Sequence, residues 1–288
     1  MANPRVLVKR RKAVRNIRKI TRTMQLIATA RFQQTMARAT ASRPYAERIT
    51  ELVQELGGAG GRVEHPLLAD NPQADRSALL VVTSNRGLCG GYNSNLLRAA
   101  NEHLAGHESV DLHMVGKKGV AYFRFLGRPM ARTVADFPDM PKFADVEPMA
   151  EEFMAQYRAG RYSAVHVVHM RYLSVASQVP ACIQLLPVRR EATAEPEPAA
   201  EAETQYDFSP PPAELLAELL PATVKVRLFQ CFTDATVSEQ VARMVAMKAA
   251  TDAADDMIKL LSRHYNRARQ SQITSELLDI IGGAEALK

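Results

Sequence analysis

Ile273-Thr274-Ser275-Glu276-Leu277-Leu278-Asp279-Ile280-Ile281-Gly282-Gly283-Ala284-Glu285-Ala286 closes a helical pattern that begins near Thr223, and that length decides the fold. Its apolar stripe includes Val237, Val241, Met244, Met257, Leu261, Tyr265, Ala268, Leu277 and Ile281, and Gly282-Gly283 supplies the stop. A second long pattern occupies the other end of the chain, roughly Val6 to Leu56. Its apolar positions are Val14, Ile17, Ile20, Met24 and Ile27, then Tyr45, Ile49, Leu52 and Leu56, at steps of three and four that trace one helical stripe. Ala28, Ala30, Ala37, Ala39 and Ala41 let a neighbouring helix approach. Pro44 removes a backbone hydrogen bond and bends the helix; Gly57, Gly58, Gly60 and Gly61 end it. About fifty helical residues make a rod on the order of 75 Å, a length for which a compact domain has no use. Two such helices at opposite ends of one chain can lie antiparallel, as a shaft with something inserted.

The insert changes period. Ala78-Leu79-Leu80-Val81-Val82 is a buried-strand run, followed by the loop Thr83 to Gly91 and a helix from Asn93 to Leu104. Further strands fit Asp111 to Val115, Ala164 to His169 and Val179 to Pro187, with helices Lys118 to Leu126 and Val146 to Arg158 between them. This alternation predicts a partly parallel sheet. Glu191 to Asp207, rich in Glu, Ala and Pro, has almost nothing to bury and reads as a surface loop. Pro212 suits a helix N-terminus, Ala213 to Leu220 make a short helix, and Pro221 interrupts it before the long one. The predicted class is α+β: a long antiparallel coiled coil of the N- and C-terminal helices with an inserted small Rossmann-like α/β domain. The predicted parts are residues 1–60 (first helix), 75–190 (α/β domain), 191–211 (acidic loop) and 212–288 (C-terminal helices).

Composition narrows the function. The chain has 288 residues, enough for a sizeable core. Aromatics are 6% and Trp is absent, low for an enzyme built around a wide pocket. No apolar run reaches the roughly 18 residues that cross a bilayer. The basic start lacks an apolar core followed by a small-residue cleavage site, so no secretory signal is read. It resembles a mitochondrial transit peptide but runs too far into the chain to be one. Three dispersed cysteines, Cys89, Cys182 and Cys231, make neither a disulfide framework nor a metal cluster. Between Arg5 and Arg48, thirteen Lys and Arg face one acid, Glu47, a balance of +12 that leaves −6 for the rest. A basic rod of this kind seeks an acidic partner: nucleic acid, anionic lipid or an acidic protein surface.

Sharper motifs are few. Arg86-Gly87-Leu88-Cys89-Gly90-Gly91 lies between strand and helix, where nucleotide-binding folds hold phosphate. It is neither GxGxxG nor GxxxxGK[ST], and a tight turn accounts for it. Cys89 has no histidine near it in sequence and reads as a packed thiol rather than a nucleophile. The seven histidines are scattered; His103 and His107 have i,i+4 spacing but no third ligand in sequence, so they read as a solvated face. No catalytic, cofactor or metal set is expected. For the basic helix, nucleic-acid binding needs only the positive charge, whereas a coiled coil within an acidic protein collar also explains the apolar stripes. A membrane surface fits less well, since the apolar face lacks Trp and Phe anchors.

Several motifs occur together and in order: Ile20-Thr21-Arg22-Thr23-Met24, Ala41-Ser42-Arg43-Pro44-Tyr45-Ala46-Glu47, His65-Pro66, the loop Arg86 to Gly91, Ser177-Gln178-Val179-Pro180 and Gln184-Leu185-Leu186-Pro187. Ala242-Arg243-Met244-Val245-Ala246-Met247-Lys248, Tyr265-Asn266-Arg267-Ala268-Arg269-Gln270 and the C-terminal signature with Ile273, Thr274, Glu276, Asp279, Gly283 and Ala284 complete the set. Over nearly the whole chain this resembles the gamma subunit of F-type ATP synthases. The resemblance implies a central-stalk rotor without catalytic residues, inside a ring of three alpha and three beta subunits. Its α/β domain would face the epsilon subunit and the c-ring. It also implies contact with beta through Arg269, Gln270 and Thr274, with Met24 on the facing helix. A bacterial protein is implied, peripheral on the cytoplasmic face of the inner membrane, without the regulatory cysteine pair of chloroplast forms. Asn85 departs from the family's usual Asp, Pro221 can kink or shift the long helix, and Val224 to Thr236 resembles the family little.

Overall fold

A computed structural model describes residues 4–59, 65–107, 109–189 and 212–285. Its elements are α1 (Pro4–Ala59), β1 (Ser77–Val82), α2 (Tyr92–Ala105), β2 (Val110–Val115), α3 (Lys117–Phe125), β3 (Arg132–Val134), α4 (Phe143–Arg158), β4 (Val165–Tyr172), β5 (Gln178–Leu186) and α5 (Pro212–Glu285). The acidic stretch Glu191 to Asp207, with Gly60 and Gly61, lies outside the described residues. The chain divides into two compact units, Met1–Ala30 with Arg243–Lys288, and Arg31–Ala242.

In the larger unit the strands run in the order β3-β2-β1-β4-β5. β3, β2, β1 and β4 are parallel, and β5 is antiparallel to β4. All six residues of the central strand β1 are buried, because helices cover both faces of the sheet. Successive side chains point to opposite faces, so Leu79 and Val81 pack with Leu96 and Leu97 of α2 and Phe123 of α3. Ala78, Leu80 and Val82 pack instead with Val146, Phe153 and Tyr157 of α4 and with the first turns of α5. Lys225 of α5 adds ion pairs to Glu147 (2.8 Å) and Glu151 (2.6 Å) of α4.

Two expectations need correction here. Pro221 does not interrupt a helix; it lies inside α5, which starts at Pro212. The missing N–H leaves one carbonyl a turn earlier unpaired, but Leu216, Leu220, Val224 and Leu228 bury a single face on either side of it. Thr223 Oγ1 also donates to the Leu219 carbonyl at 2.8 Å. Burial of that stripe outweighs one lost hydrogen bond. The segment of low resemblance is part of this core, with Cys231 and Phe232 buried and Phe232 4.8 Å from Phe137. The second correction is β3, for which no strand was expected. It is three largely exposed residues and offers no apolar alternation to read.

In the smaller unit the two helices pair antiparallel. Thr21 meets Thr251 (Oγ1 to Oγ1, 2.8 Å), Arg18 meets Asp255 (2.5 Å), and the Arg11 guanidinium lies 5.1 Å from the Tyr265 ring. One number falls as the other rises. Only part of the stripe expected on α1 is buried: Ile17, Ile20 and Ile27 are each at least half exposed, while Val14 and Met24 are half-buried and Ile49, in the larger unit, is buried. Leu7, Thr21 and Ala28 are buried instead, with Val14 half-buried between them, a strict seven-residue step. On α5 the matching positions are Met247, Thr251, Ala254, Ile258, Leu261, Tyr265 and Ala268. Met257, expected in the stripe, is half exposed. Small Thr and Ala side chains bring the two backbones together, and hydrophobicity alone gives such positions little weight.

Candidate partner-binding surface

Among the described residues the paired helices leave two surfaces uncovered. Val6, Ile17, Ile20, Met24 and Ile27 follow helical steps along α1, and all but the half-buried Met24 are largely exposed. Around them Lys9, Arg10, Lys12, Arg15, Arg18, Lys19 and Arg22 are exposed as well. An apolar stripe set in positive charge fits a protein surface carrying acidic residues.

The second surface is the end of α5. From the register of Thr21 with Thr251 and Arg11 with Tyr265, Pro4 lies level with about residue 272. Every residue described from Gln272 to Ala284 is exposed, and at ~1.5 Å per residue this overhang is roughly 20 Å long. Leu278 and Ile280 are 62% and 72% exposed. Apolar side chains left bare on successive turns mark a place for another chain.

The expected contact residues fall on these surfaces at different heights. Arg269, Gln270 and Thr274 are exposed at the base of the overhang, where Thr274 Oγ1 donates to the Gln270 carbonyl at 3.0 Å. Ile273, Glu276, Asp279, Gly283 and Ala284 follow on the overhang, with Gln272 donating to Glu276 at 2.9 Å. Met24 lies level with about residue 248, some 20 residues or roughly 30 Å along the pair from Arg269. The structure therefore groups Arg269, Gln270 and Thr274 and sets Met24 apart from them.

In the larger unit the glycine loop is tied to itself. The Ser84 N–H donates to Asn93 Oδ1 (3.1 Å), Ser84 Oγ donates to the Arg86 carbonyl (2.7 Å), and Asn93 Nδ2 reaches the buried Cys89 Sγ (3.3 Å). Leu88 and Gly90 take positive φ of 63° and 56° to close the turn.

Asn85 opens a clasp that the sequence did not reveal. Its Nδ2 donates to the Phe137 carbonyl (2.7 Å) and to Asp139 (3.4 Å), and its Oδ1 accepts from the Lys117 N–H (3.4 Å). Asp139 also pairs with Arg31 of α1 (3.1 Å) and Arg86 (3.5 Å). Burial pushes the Asp139 carboxyl up, but the Asn85 hydrogen bond and the Arg86 and Arg31 charges together hold it below its ordinary value. An Asp at position 85 would donate nothing to Phe137 and would face the Asp139 charge. Asn85→Asp should therefore lower stability by about 1–3 kcal/mol. Urea unfolding at pH 7.5 checks this, and a variant as stable as the parent would show the clasp to be of no consequence.

The architecture is an α+β protein whose terminal helices pair with each other and whose middle builds a mixed five-stranded sheet. Over residues 3–287 the chain matches the family described as ATP synthase. It is 46% identical to the ATP synthase gamma chain of Rhodopirellula baltica across 100% of both chains. It is 42% identical to that of Frankia casuarinae, across 97% of this chain and 96% of the other. The chain belongs to the ATP synthase gamma chain family, and so to the components of that complex. Its fold is similar to a chain of the Euglena gracilis mitochondrial ATP synthase solved with F1 and the c-ring. The TM-score is 0.70 at 20% identity, over 99% of this chain and 94% of that one. A chain of the rotor of the same enzyme gives a TM-score of 0.67 at 20% identity, covering 94% and 98%. The basic helix was the sole sign favouring nucleic acid, and none of these relatives adds to it.

Proposed function

We propose that this chain is the central-stalk rotor of an F-type ATP synthase, turning with the c-ring and driving the beta subunits of an alpha–beta hexamer through their catalytic states. The observation that carries the reading is the overhang of α5: a helix continued past its pairing partner with Leu277, Leu278, Ile280 and Ile281 left bare. A rotor needs stiffness, which a close-packed small-residue seam supplies. It must also turn without locking, so a slim apolar tip with a few polar residues suits it better than a broad adhesive face. Arg269, Gln270, Thr274 and, at another height, Met24 are the residues assigned to contact beta. The basic α1 complements acidic loops there, and the epsilon subunit and c-ring engage the α/β domain.

The chain itself contributes no catalytic group in this reading; ATP is made on beta. Among the described residues no helix is long and apolar enough to cross a membrane, and attachment is through the complex, on the cytoplasmic face of the bacterial inner membrane. Two experiments test this. Affinity purification of the tagged chain from gently solubilised host membranes should bring stoichiometric alpha and beta subunits with ATPase activity; recovery alone or with nucleic acid would sink the rotor reading. Deleting residues 270–288 should lower ion pumping per ATP hydrolysed several-fold in reconstituted vesicles. Normal coupling in that truncation would overturn the contact assignment while leaving the rotor reading intact.

A further inference from the structure

The two long helices are fastened to the α/β domain by different means. α5 is part of the domain's core, with Leu220, Val224, Leu228 and Phe232 buried among the sheet residues. Two hydrogen bonds add to this: Tyr92 Oη donates to the Ala235 carbonyl (3.1 Å) and Ser238 Oγ to the Met170 carbonyl (3.3 Å). α1 has little of this kind. Among the described residues it gives the two apolar cores of the larger unit only the half-buried Val53; its buried Thr35 and Ile49 belong to neither. Thr35 and Arg38 line a cleft with Phe229, Thr233 and Thr236 of α5, about 30 Å³ in volume and roomy enough for a water or two. The Phe32 ring lies 6.3 Å from that of Tyr172, a loose contact.

At this level α1 is held instead by charge. Arg31 is its first residue in the larger unit. The Arg31 guanidinium reaches Asp139 at 3.1 Å, and the two side chains are 35% and 29% exposed. A pair so far withdrawn from water is screened less than one on the open surface. Arg86 brings a second guanidinium to the same carboxylate at 3.5 Å. The loop that carries Asp139 is itself pinned. Phe137 packs 4.8 Å from Phe232 of α5, and its carbonyl accepts from Asn85 Nδ2 at 2.7 Å. The line Phe232, Phe137, Asp139, Arg31 thus joins the helix that is built into the domain to the helix that is not.

We infer that Asp139 is a positioning residue that fixes α1 to the α/β domain, so that the domain carries this helix round when it turns. The turning rests on the rotor reading; the fixing does not. Burial raises the Asp139 carboxyl, yet the Asn85 hydrogen bond and the two guanidiniums hold it below its ordinary value, so the tie is charged at neutral pH. Neutralising it leaves Arg31 and Arg86 close together without this anion between them. The helix then loses its tie and gains a repulsion. With little core packing to compensate, α1 opens locally from Arg31 onward while the sheet stays closed.

Hydrogen exchange on the untagged full chain reads the fixing. Asp139→Asn and Arg31→Gln should each speed exchange of α1 amides over residues 28–40 by roughly 3- to 10-fold, with β1, β2 and β4 keeping their protection. Arg31→Lys, which retains the charge, should preserve most of the protection. In the reconstituted complex the first two variants should lower the ions pumped per ATP hydrolysed by about two-fold without loss of ATPase rate, and Arg31→Lys should pump as the parent does. Unchanged exchange in both neutralised variants would overturn the anchor. Faster exchange with normal pumping would overturn its part in rotation. Failure of the parent chain to recover alpha and beta would instead sink the rotor reading, and the exchange result would still decide the anchor.

Discussion

Lowering the pH from 7.5 to 5.0 should remove about 4 kcal/mol of stability, through two histidines buried in the sheet. His113 on β2 is 5% exposed, packed 5.0 Å from the Phe153 ring with Nε2 3.2 Å from the Tyr162 hydroxyl. Burial lowers its pKa to about 4; Asp111 pulls the other way, and Arg132 and Arg161 add to the lowering. His169 on β4 is 4% exposed, its Nδ1 has no partner, and burial with Arg171 lowers it to about 4 against a hydrogen bond involving the Val167 backbone.

The sign follows from the direction of both shifts. Between the ordinary value of 6.5 and about 4, the unfolded chain binds protons that the folded chain refuses, so stability rises with pH. The contribution is complete above 6.5 and is lost as the pH falls toward 4. At pH 5.0 each group has given up about 2 kcal/mol, a large part of the ~5–15 kcal/mol a domain possesses. The half-buried His166 shifts in the same direction, while Asp139, depressed from 3.8, comes into play only below this window. Urea unfolding at both pH values measures the drop, and His169→Leu should reduce it by about 2 kcal/mol. Equal stability at pH 5.0 and 7.5, or an undiminished drop in the variant, would show these imidazoles to be accessible to protons in the folded state.

The features legible in sequence were those whose signal is local. β1 announced itself because a central parallel strand is apolar on both faces, and α2, α3, α4, β2, β4 and β5 followed from period and punctuation. The α1 seam was misread in part, for a physical reason. Ile17, Ile20 and Ile27 serve a face that this chain leaves uncovered, whereas close contact between the helices selects Thr21, Ala28, Thr251 and Ala254 for size. Hydropathy finds the face that wants a partner; it does not say which partner. Pro221 was misread because a local rule was overridden by the burial of Leu216, Leu220 and Val224. The Asn85–Asp139–Arg31 clasp joins residues 54 to 108 positions apart, so spacing carried no trace of it.

Gly116→Ala should be the most damaging single methyl in the chain's core. Gly116 follows β2 with φ +94° and ψ 139°, a region kept almost wholly for glycine. A Cβ there would lie 2.1 Å from the Thr83 carbonyl oxygen and 2.7 Å from its carbon, and these are backbone atoms that cannot swing aside. Thr83 is fixed in turn. Its N–H donates to the Val115 carbonyl at 2.9 Å, its Oγ1 donates to the same carbonyl at 2.8 Å, and Oγ1 accepts from the Gly119 N–H at 3.0 Å. The added methyl must therefore part β1 from β2 or pull α3 from the sheet. Conformational strain of ~1–3 kcal/mol and overpacking of similar size make a loss of about 4 kcal/mol. Gly127→Ala separates the two causes, since Gly127 also has positive φ, +67°, but open space around it; its cost should be about 1 kcal/mol. Urea unfolding of both variants decides the matter. Equal losses would mean that backbone conformation alone demands glycine at 116, and that the junction of β1, β2 and α3 has room to spare.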